Sequence, residues 1–125
     1  MKNLRRVVFP RGAADQKARE LFPARTWMFF ESVDDLDRAS GSVDSTVCSE
    51  VMEHVEDDAL LVRRVIEMAR RRAVFSTPSK RVNDPGHLRL YTASALEELF
   101  AAWPHRVILD PPFFFIVVDR EGKFE

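Results

Sequence analysis

A chain of 125 residues has room for one folded domain with its own hydrophobic core, but not for two. Its net charge of -1 gives no overall attraction to nucleic acid or to an acidic membrane surface. The single cysteine, Cys48, excludes an internal disulfide and suits a reducing compartment, and no apolar run is long enough for a signal peptide or a membrane span. We therefore expect a single-domain cytoplasmic protein over residues 1–125, with neither nucleic-acid nor membrane partners.

The first half of the chain alternates between extended and helical patterns. β-rich runs that end at proline or at polar residues predict strands, and the run between Pro10 and Pro23 has the composition of a helix. The predicted elements are the strands Leu4–Phe9, Thr26–Phe30 and Ser45–Cys48, and the helix Ala13–Phe22.

The second half contains the clearest helix, DDALLVRRVIEMARRR at residues 57–72. Asp57 or Asp58 can cap its N-terminus, and Arg70–Arg72 would complement the dipole at its C-terminus. The further elements are the strands Ala73–Ser76, His105–Asp110 and Phe113–Asp119, and a helix from Thr92 to Trp103. Strands alternating with helices predict an α/β fold with a mostly parallel sheet, helices on both faces and an antiparallel C-terminal strand pair.

Three consecutive phenylalanines begin the last strand. Because successive side chains of a strand point to opposite faces, at least one ring of Phe113–Phe115 must face away from a one-sided core. The triplet is therefore also a candidate dimer contact.

The stretch SEVMEHVEDD, residues 49–58, has two possible interpretations. If it is helical, Glu50, Glu53 and His54 stand at i, i+3 and i+4 and share one face, which could hold a cation or a reacting hydroxyl. The same residues could equally be the acidic start of a helix. The spacing alone leaves both open.

From about Ala18 to Trp103 the sequence resembles the class I S-adenosylmethionine-dependent methyltransferases, especially their small-molecule and ubiquinone-pathway type. The matching pieces run in order along the chain: KARELFP, SVDDLDRASGSVDSTVCSEVMEHVEDD, FSTPS and GHLRLYTASALEELF. The resemblance implies a truncated, Rossmann-like methyltransferase sheet. It covers about the C-terminal two thirds of the family's domain.

The cofactor motifs of that family are absent or altered. Its first strand is followed by a glycine-rich loop, whereas here only Gly12 lies near the N-terminus. The acid that binds the ribose hydroxyls in the family falls at Pro10 or Arg11, and the aspartate that meets the adenine falls at Ser32. The family's turn before the fifth strand is replaced by Arg70–Arg72. We therefore expect the chain alone to bind S-adenosylmethionine weakly or not at all.

A second registration of the N-terminus is possible. The run LRRVVFPRGAAD would then be the family's first strand with a degenerate loop, and Glu31 would be the ribose acid, at about the 20-residue separation expected after Gly12. If instead the run is the second strand, the central first strand is missing and its neighbours have unsatisfied edges. A rearranged sheet, a second copy of the chain or a partner chain would then have to close the sheet.

The resemblance also implies site residues. In ubiquinone-pathway O-methyltransferases and small-RNA 2′-O-methyltransferases, a Glu-x-x-Glu-His element and a later loop histidine hold a divalent cation. The corresponding metal ligands here are Glu50, Glu53, His54 and His87. The resemblance assigns catalytic roles to His54 and His87, and it places the cofactor beside Ser32, Val33, Cys48 and Ser49. Relatives in which the histidine lines the substrate pocket without metal leave that alternative open.

Two functions follow from this sequence. The first is an enzyme that transfers a methyl group from S-adenosylmethionine to a small-molecule hydroxyl, with help from a second chain and from a divalent cation where one is bound. The second is a non-catalytic methyltransferase-like subunit that serves as an interaction or regulatory module. The retained Glu and His residues favour the enzyme, and the missing glycine loop favours the subunit.

Overall fold

The computed structural model describes residues 5–8, 26–29, 43–81 and 85–124. Its strands are β1 (Arg5–Val8), β2 (Thr26–Phe29), β3 (Val43–Ser49), β4 (Ala69–Pro78), β5 (His105–Asp110) and β6 (Phe113–Asp119). Its helices are α1 (Asp58–Met68) and α2 (Ala93–Leu99), with a short 3₁₀ turn at Met52–His54. The helix predicted at Ala13–Phe22 lies outside the described residues. No helix in the described part is long and apolar enough to cross a membrane.

Four strands form a mixed sheet in the order β3-β4-β6-β5. β3 and β4 are parallel and α1 connects them, whereas β6 is antiparallel to both β4 and β5. These pairings confirm the α/β class and the antiparallel C-terminal pair.

A separate parallel pair, β1 and β2, accompanies this sheet. β1 lies beside β3, with Cα atoms within 8 Å, but the two strands belong to different hydrogen-bonded sheets. Both registrations of the N-terminus give the order β2-β1-β3, so the topology does not discriminate between them. No ladder of hydrogen bonds joins β1 to β3 among the described residues. This gap lies where the family's first strand would be absent if β1 corresponds to the family's second strand.

The helix α1 begins where the sequence predicts. The Asp57 side chain accepts a hydrogen bond from the amide of Leu60 at 3.0 Å, which confirms an N-cap at this position. The apolar stripe of the helix, including Leu61 and Ile66, is buried against the sheet. The hydroxyl of Thr46 on β3 donates to the carbonyl of Val65 at 3.1 Å, which ties the helix to the strand.

The prediction for the end of this helix was wrong. α1 ends at Met68, and the arginines lie in β4, which runs from Ala69 to Pro78. The strand is favoured because each arginine finds an acidic partner on a neighbouring strand: Arg70 contacts Asp44 at 2.7 Å, and Arg72 contacts Asp119 at 2.7 Å. These partners are distant in sequence, so the helical pattern could not reveal them.

Both described helices cover the same face of the sheet. Phe75 of β4 packs against Phe100, just after α2, with ring centroids 4.9 Å apart, and the same cluster includes the buried residues of α1. The other face is more open, since Val47 is 70% exposed. Phe114 is buried, whereas Phe113 and Phe115 are half-exposed, which confirms the predicted alternation.

Candidate functional site

The candidate site lies at the carboxyl ends of the parallel strands β3 and β4. In open α/β sheets, ligands bind in the crevice outside these ends. β3 ends at Ser49, and the chain turns at Glu50, whose φ of 57° lies in the left-handed region that a non-glycine residue seldom adopts. The turn delivers Glu53 and His54 on the 3₁₀ segment.

Three of the four predicted metal ligands converge. One ligand atom from each of Glu53, His54 and His87 lies within 4.8 Å of the other two. The two imidazole rings meet edge to face, with centroids 4.4 Å apart. The structure thus brings His87 to Glu53 and His54, which precede it by more than 30 positions in sequence, and their role as metal ligands stays a prediction.

Glu53 is the buried member of this group, with 1% of its surface exposed. One oxygen, Oε1, accepts a hydrogen bond from the Thr77 hydroxyl at 3.3 Å. The other, Oε2, has no hydrogen-bond partner among the described residues and lies 3.8 Å from Nε2 of His54. A buried carboxylate oxygen without a partner is costly, and such atoms are typical of sites that bind an ion, a proton or a ligand.

Burial raises the pKa of the Glu53 carboxyl above its ordinary value. The negative charge of Glu50 raises this pKa further, while the hydrogen bond to the Glu53 backbone and the nearby His54 and His87 oppose the shift. A carboxyl with a raised pKa can exchange a proton nearer neutrality than an exposed one.

His54 is oriented by a backbone carbonyl. Its Nδ1 lies 2.9 Å from the oxygen of Gly86, which can only accept, so Nδ1 carries the proton in this contact. In the neutral ring this arrangement leaves Nε2, which faces Glu53, with a free lone pair. A hydrogen bond of this kind, from the ring nitrogen that does not bind the metal to a carbonyl oxygen, orients many metal-binding histidines.

A short loop carries His87, and several contacts attach it to the 3₁₀ turn. The amide of Leu88 donates to the Glu53 carbonyl at 2.8 Å. The Arg89 guanidinium donates to the carbonyls of Met52, Val55 and Glu56 at 3.0, 2.6 and 2.9 Å. These contacts hold His87 against His54.

The same loop ends at Tyr91, whose hydroxyl donates to the Asp58 carboxylate at 2.6 Å. Burial and this contact raise the pKa of the Tyr91 hydroxyl, so it remains a donor at neutral pH. The loop is thus attached to the first turn of α1 as well.

We expect Arg89→Lys to loosen this loop. A lysine ammonium cannot reproduce the planar fork, and each lost hydrogen bond to a charged group costs about 1.5–3 kcal/mol. Amide hydrogen exchange at Leu88 should therefore accelerate at least about tenfold, since 1.4 kcal/mol corresponds to a factor of ten. Arg63→Lys, on the exposed side of α1, is the matched control and should leave the Leu88 amide unchanged. Equal protection in the two variants would contradict the role given to Arg89.

The fourth predicted ligand, Glu50, is directed elsewhere. Its carboxylate accepts a hydrogen bond from the Ser76 hydroxyl at 2.9 Å, and that hydroxyl also lies 2.8 Å from the hydroxyl of Ser49. Glu50 is therefore adjacent to the convergent group but not part of it. Glu50 does not share a helical face with Glu53 and His54, because the chain turns at Glu50, before the 3₁₀ segment begins.

The predicted cofactor residues are only partly described. Ser32 and Val33 lie outside the described residues. Cys48 points into the core, where burial raises the pKa of its thiol to about 12, so its side chain is an inert apolar group. Ser49 is exposed at the strand end, next to the site. Their cofactor role stays a prediction.

The sequence reasoning missed two further residues of this site, Thr77 and Arg89. Thr77 belongs to FSTPS, which follows a predicted strand, so the rule that carboxyl ends of parallel strands meet could have identified it. No sequence signal distinguishes Arg89 from the other arginines, because its hydrogen bonds go to backbone carbonyls.

Neither protein-family models nor curated proteins match this sequence, whereas solved structures do. The magnesium protoporphyrin IX methyltransferase of Synechocystis PCC 6803, with bound S-adenosylhomocysteine, is 17% identical with a TM-score of 0.60. That match covers 86% of this chain and 57% of the enzyme. The 1,6-didemethyltoxoflavin-N1-methyltransferase of Burkholderia thailandensis is 14% identical with a TM-score of 0.65, over 94% of this chain and 61% of that one. The chain has the class I methyltransferase fold.

The methyltransferase fold is matched over only part of these enzymes. The chain spans about half the length of the Synechocystis enzyme, 57% and 52% in its two structures. The PH0226 protein of Pyrococcus horikoshii OT3 has a TM-score of 0.67 at 10% identity, over 94% of this chain and 71% of that one. Similarity at this identity establishes the methyltransferase architecture, whereas the chemistry has to be argued from the site.

Proposed function

We propose that this chain is part of a methyltransferase that transfers a methyl group from S-adenosylmethionine to a small-molecule hydroxyl. The observation that carries the proposal is the convergence of Glu53, His54 and His87 around a buried carboxylate oxygen without a hydrogen-bond partner. The group lies at the strand ends where open α/β sheets bind ligands. We place the protein in the cytoplasm.

In the proposed reaction, the hydroxyl oxygen of the substrate attacks the methyl carbon of the sulfonium. The carbon–sulfur bond breaks as the carbon–oxygen bond forms, and S-adenosylhomocysteine leaves as a neutral thioether. His54 accepts the hydroxyl proton at Nε2, because its Nδ1 is engaged by the Gly86 carbonyl. His87, edge to face with His54, would help to hold the substrate in position for attack.

The same three residues fit a divalent cation. One carboxylate and two imidazoles are a suitable donor set for Mn, Fe or Zn, and the free Oε2 of Glu53 is the kind of atom that a cation would satisfy. When bound, a cation would lower the pKa of a substrate hydroxyl. Glu50, the fourth predicted ligand, would have to leave Ser76 to take part.

Cofactor binding is expected to need a second chain. S-Adenosylmethionine and S-adenosylhomocysteine are bound in the two structures of the Synechocystis enzyme, which supports the same cofactor here. The sequence of this chain lacks a glycine-rich loop after its first strand. A partner chain with such a loop would complete the pocket beside Ser49 and close the sheet at β3.

Titration calorimetry with S-adenosylhomocysteine tests this proposal. We expect no micromolar binding to the chain alone, and micromolar binding once a partner with the glycine-rich loop is added. Micromolar binding to the chain alone would also support an enzyme, but it would contradict the need for a second chain. If no heat is observed in either experiment, the methyl-transfer proposal is wrong.

A non-catalytic subunit is the second candidate function. The observation that favours it is the loss of several cofactor motifs, with Pro10 or Arg11 at the ribose position and Arg70–Arg72 in place of the turn that precedes the family's fifth strand. In that case the methyltransferase fold would act as an interaction or regulatory module. The same titration discriminates once the partner has been titrated alone, since a non-catalytic subunit would bind no cofactor by itself and would add none to what the partner binds.

A further inference from the structure

The edge strand β5 has an unusual exposed surface. β5 is the last strand of the sheet, and in the part of the chain that the structure describes it forms ladder bonds with β6 alone. Ile108 is 45% exposed and Leu109 is 59% exposed on this strand. An exposed apolar edge strand is a template for pairing with another strand, and proteins normally protect such edges with charge or proline.

The charges of this strand are arranged symmetrically. Arg106 and Asp110 are both exposed, and each lies two residues from Ile108. Since side chains alternate along a strand, residues 106, 108 and 110 point to the same face. One cation and one anion thus flank an apolar centre at equal distances.

We infer that β5 pairs antiparallel with β5 of a second copy of this chain, about a two-fold axis at Ile108. In this register Arg106 lies opposite the partner's Asp110, and Asp110 lies opposite the partner's Arg106. Directly opposed residues of antiparallel strands have Cβ atoms about 4.5–5.5 Å apart, close enough for these ion pairs. The two sheets join into one continuous sheet of eight strands.

Charge complementarity selects a second copy and this register. A parallel arrangement would place Arg106 against the same residue of the partner, and opposed like charges are destabilising. A shift by two residues would place a charge opposite Ile108. A two-fold axis forms the pair between Arg106 and Asp110 at both ends of the strand, as in the isologous interfaces of most homodimers. Arg106 keeps its contact with Phe124, whose ring centroid lies 4.7 Å from the guanidinium carbon.

The second copy would lie far from the candidate site. β4 and β6 separate β5 from β3, so the dimer extends the sheet at the edge opposite to the one expected to receive the cofactor-completing chain. This inference therefore does not depend on the proposed methyl transfer. The short edge, which Pro111 and Pro112 follow, indicates a weak dimer of the low-area class.

Sedimentation equilibrium with two charge-reversed variants tests the inference. The parent should dimerise, and Arg106→Asp and Asp110→Arg should each raise the dimer dissociation constant at least tenfold. An equimolar mixture of the two variants should recover the parental constant, because every opposed pair across the axis is again one acid and one arginine. Lys80→Asp, an exposed charge reversal away from the edge, is the control and should leave the constant unchanged.

The mixture also guards against misfolding, since a variant that fails to fold cannot restore association. A monomeric parent at the highest soluble concentration would overturn the inference. So would a dimer that neither variant weakens, or two weakened variants whose mixture stays weak. A monomeric parent, or a dimer that neither variant weakens, would exclude β5 as the dimer edge. A mixture that stays weak would exclude the register centred on Ile108.

Discussion

Glu53→Gln should stabilise the metal-free protein at neutral pH. Burial raises the pKa of Glu53, so the folded state binds this proton more tightly than the unfolded state does. The contribution of protonated Glu53 to the stability of the folded state is therefore fully present below pH 4.5, the ordinary pKa of a glutamate. It is lost as the pH rises through the raised pKa. At neutral pH the parent must ionise a buried carboxyl or hold its proton at a cost, whereas glutamine does not ionise.

Urea unfolding in the presence of a chelator measures this effect. We expect a gain of about 1–3 kcal/mol for Glu53→Gln at pH 7, because the neutral amide avoids the cost of burying a charge, and a smaller gain near pH 4. Glu98→Gln, an exposed carboxylate on α2, is the control and should change the free energy of unfolding little at either pH. A loss of stability at pH 7 would contradict the assigned environment of Glu53.

The same substitution should abolish uptake of a divalent cation, measured by elemental analysis after dialysis against zinc or manganese. Glu50→Gln should retain uptake, because Glu50 is bonded to Ser76 and lies outside the convergent group. If Glu50→Gln loses the metal instead, the four-ligand set of the sequence analysis is the better description. A parent that takes up no metal would end the metal proposal and leave the role of His54 as a base untouched.

Asp119→Asn should cause a large loss of stability. Asp119 is 0% exposed, and its carboxylate accepts hydrogen bonds from Arg72 at 2.7 Å and Arg71 at 3.3 Å. The amide of Glu121 donates to the same carboxylate at 2.9 Å. Asparagine would present donors to two arginines, so we expect a loss well above the roughly 0.5 kcal/mol that bounds most surface substitutions.

The pH dependence of the free energy of unfolding gives a second measure of how much the Asp119 carboxylate stabilises the fold. The hydrogen bond from Arg72 holds the pKa of Asp119 at about 2, below the ordinary 3.8. Its contribution is therefore fully present above pH 3.8 and is lost as the pH falls towards 2. Unfolding followed between pH 5 and pH 2 should show a steeper loss in the parent than in Asp119→Asn.

The matched control for Asp119 is Asp44 on β3, which also pairs with an arginine of β4. Asp44 pairs with Arg70 at 2.7 Å, but both side chains are more than half exposed. Asp44→Asn should therefore cost only about 0–1 kcal/mol, as exposed ion pairs do. Similar losses for the two variants would show that the burial of Asp119 does not matter.

Local signals predicted local features well. The Asp57 cap and the Thr92 cap both form as expected, because each involves a side chain and an amide three residues away. The arginines after α1 show the limit of such signals. A helical period continues through Arg72, but acidic partners 26 and 47 residues away in sequence draw these residues into β4.

The sequence predicted only part of the candidate site, because some of its contacts join residues that are distant in sequence. The resemblance to methyltransferases named Glu53, His54 and His87 as site residues; the structure brings the three together, and their roles stay predictions. The position of Glu50 depends on one backbone angle, a φ of 57°, which turns its carboxylate towards Ser76. Nothing in a Glu-x-x-Glu-His spacing reveals that turn.

The sequence by itself determined the α/β alternation, the helix starts and the residues from which a site could be built, because these follow from periodicity, caps and recognisable residue types. Only the tertiary structure decided which atoms of those residues meet. It left Oε2 of Glu53 buried without a partner, attached His87 to His54 through Arg89, and placed Ile108 between two opposite charges on an exposed edge. These features arise from contacts between segments distant in sequence, whose geometry is fixed by the register of strands and not by local propensity.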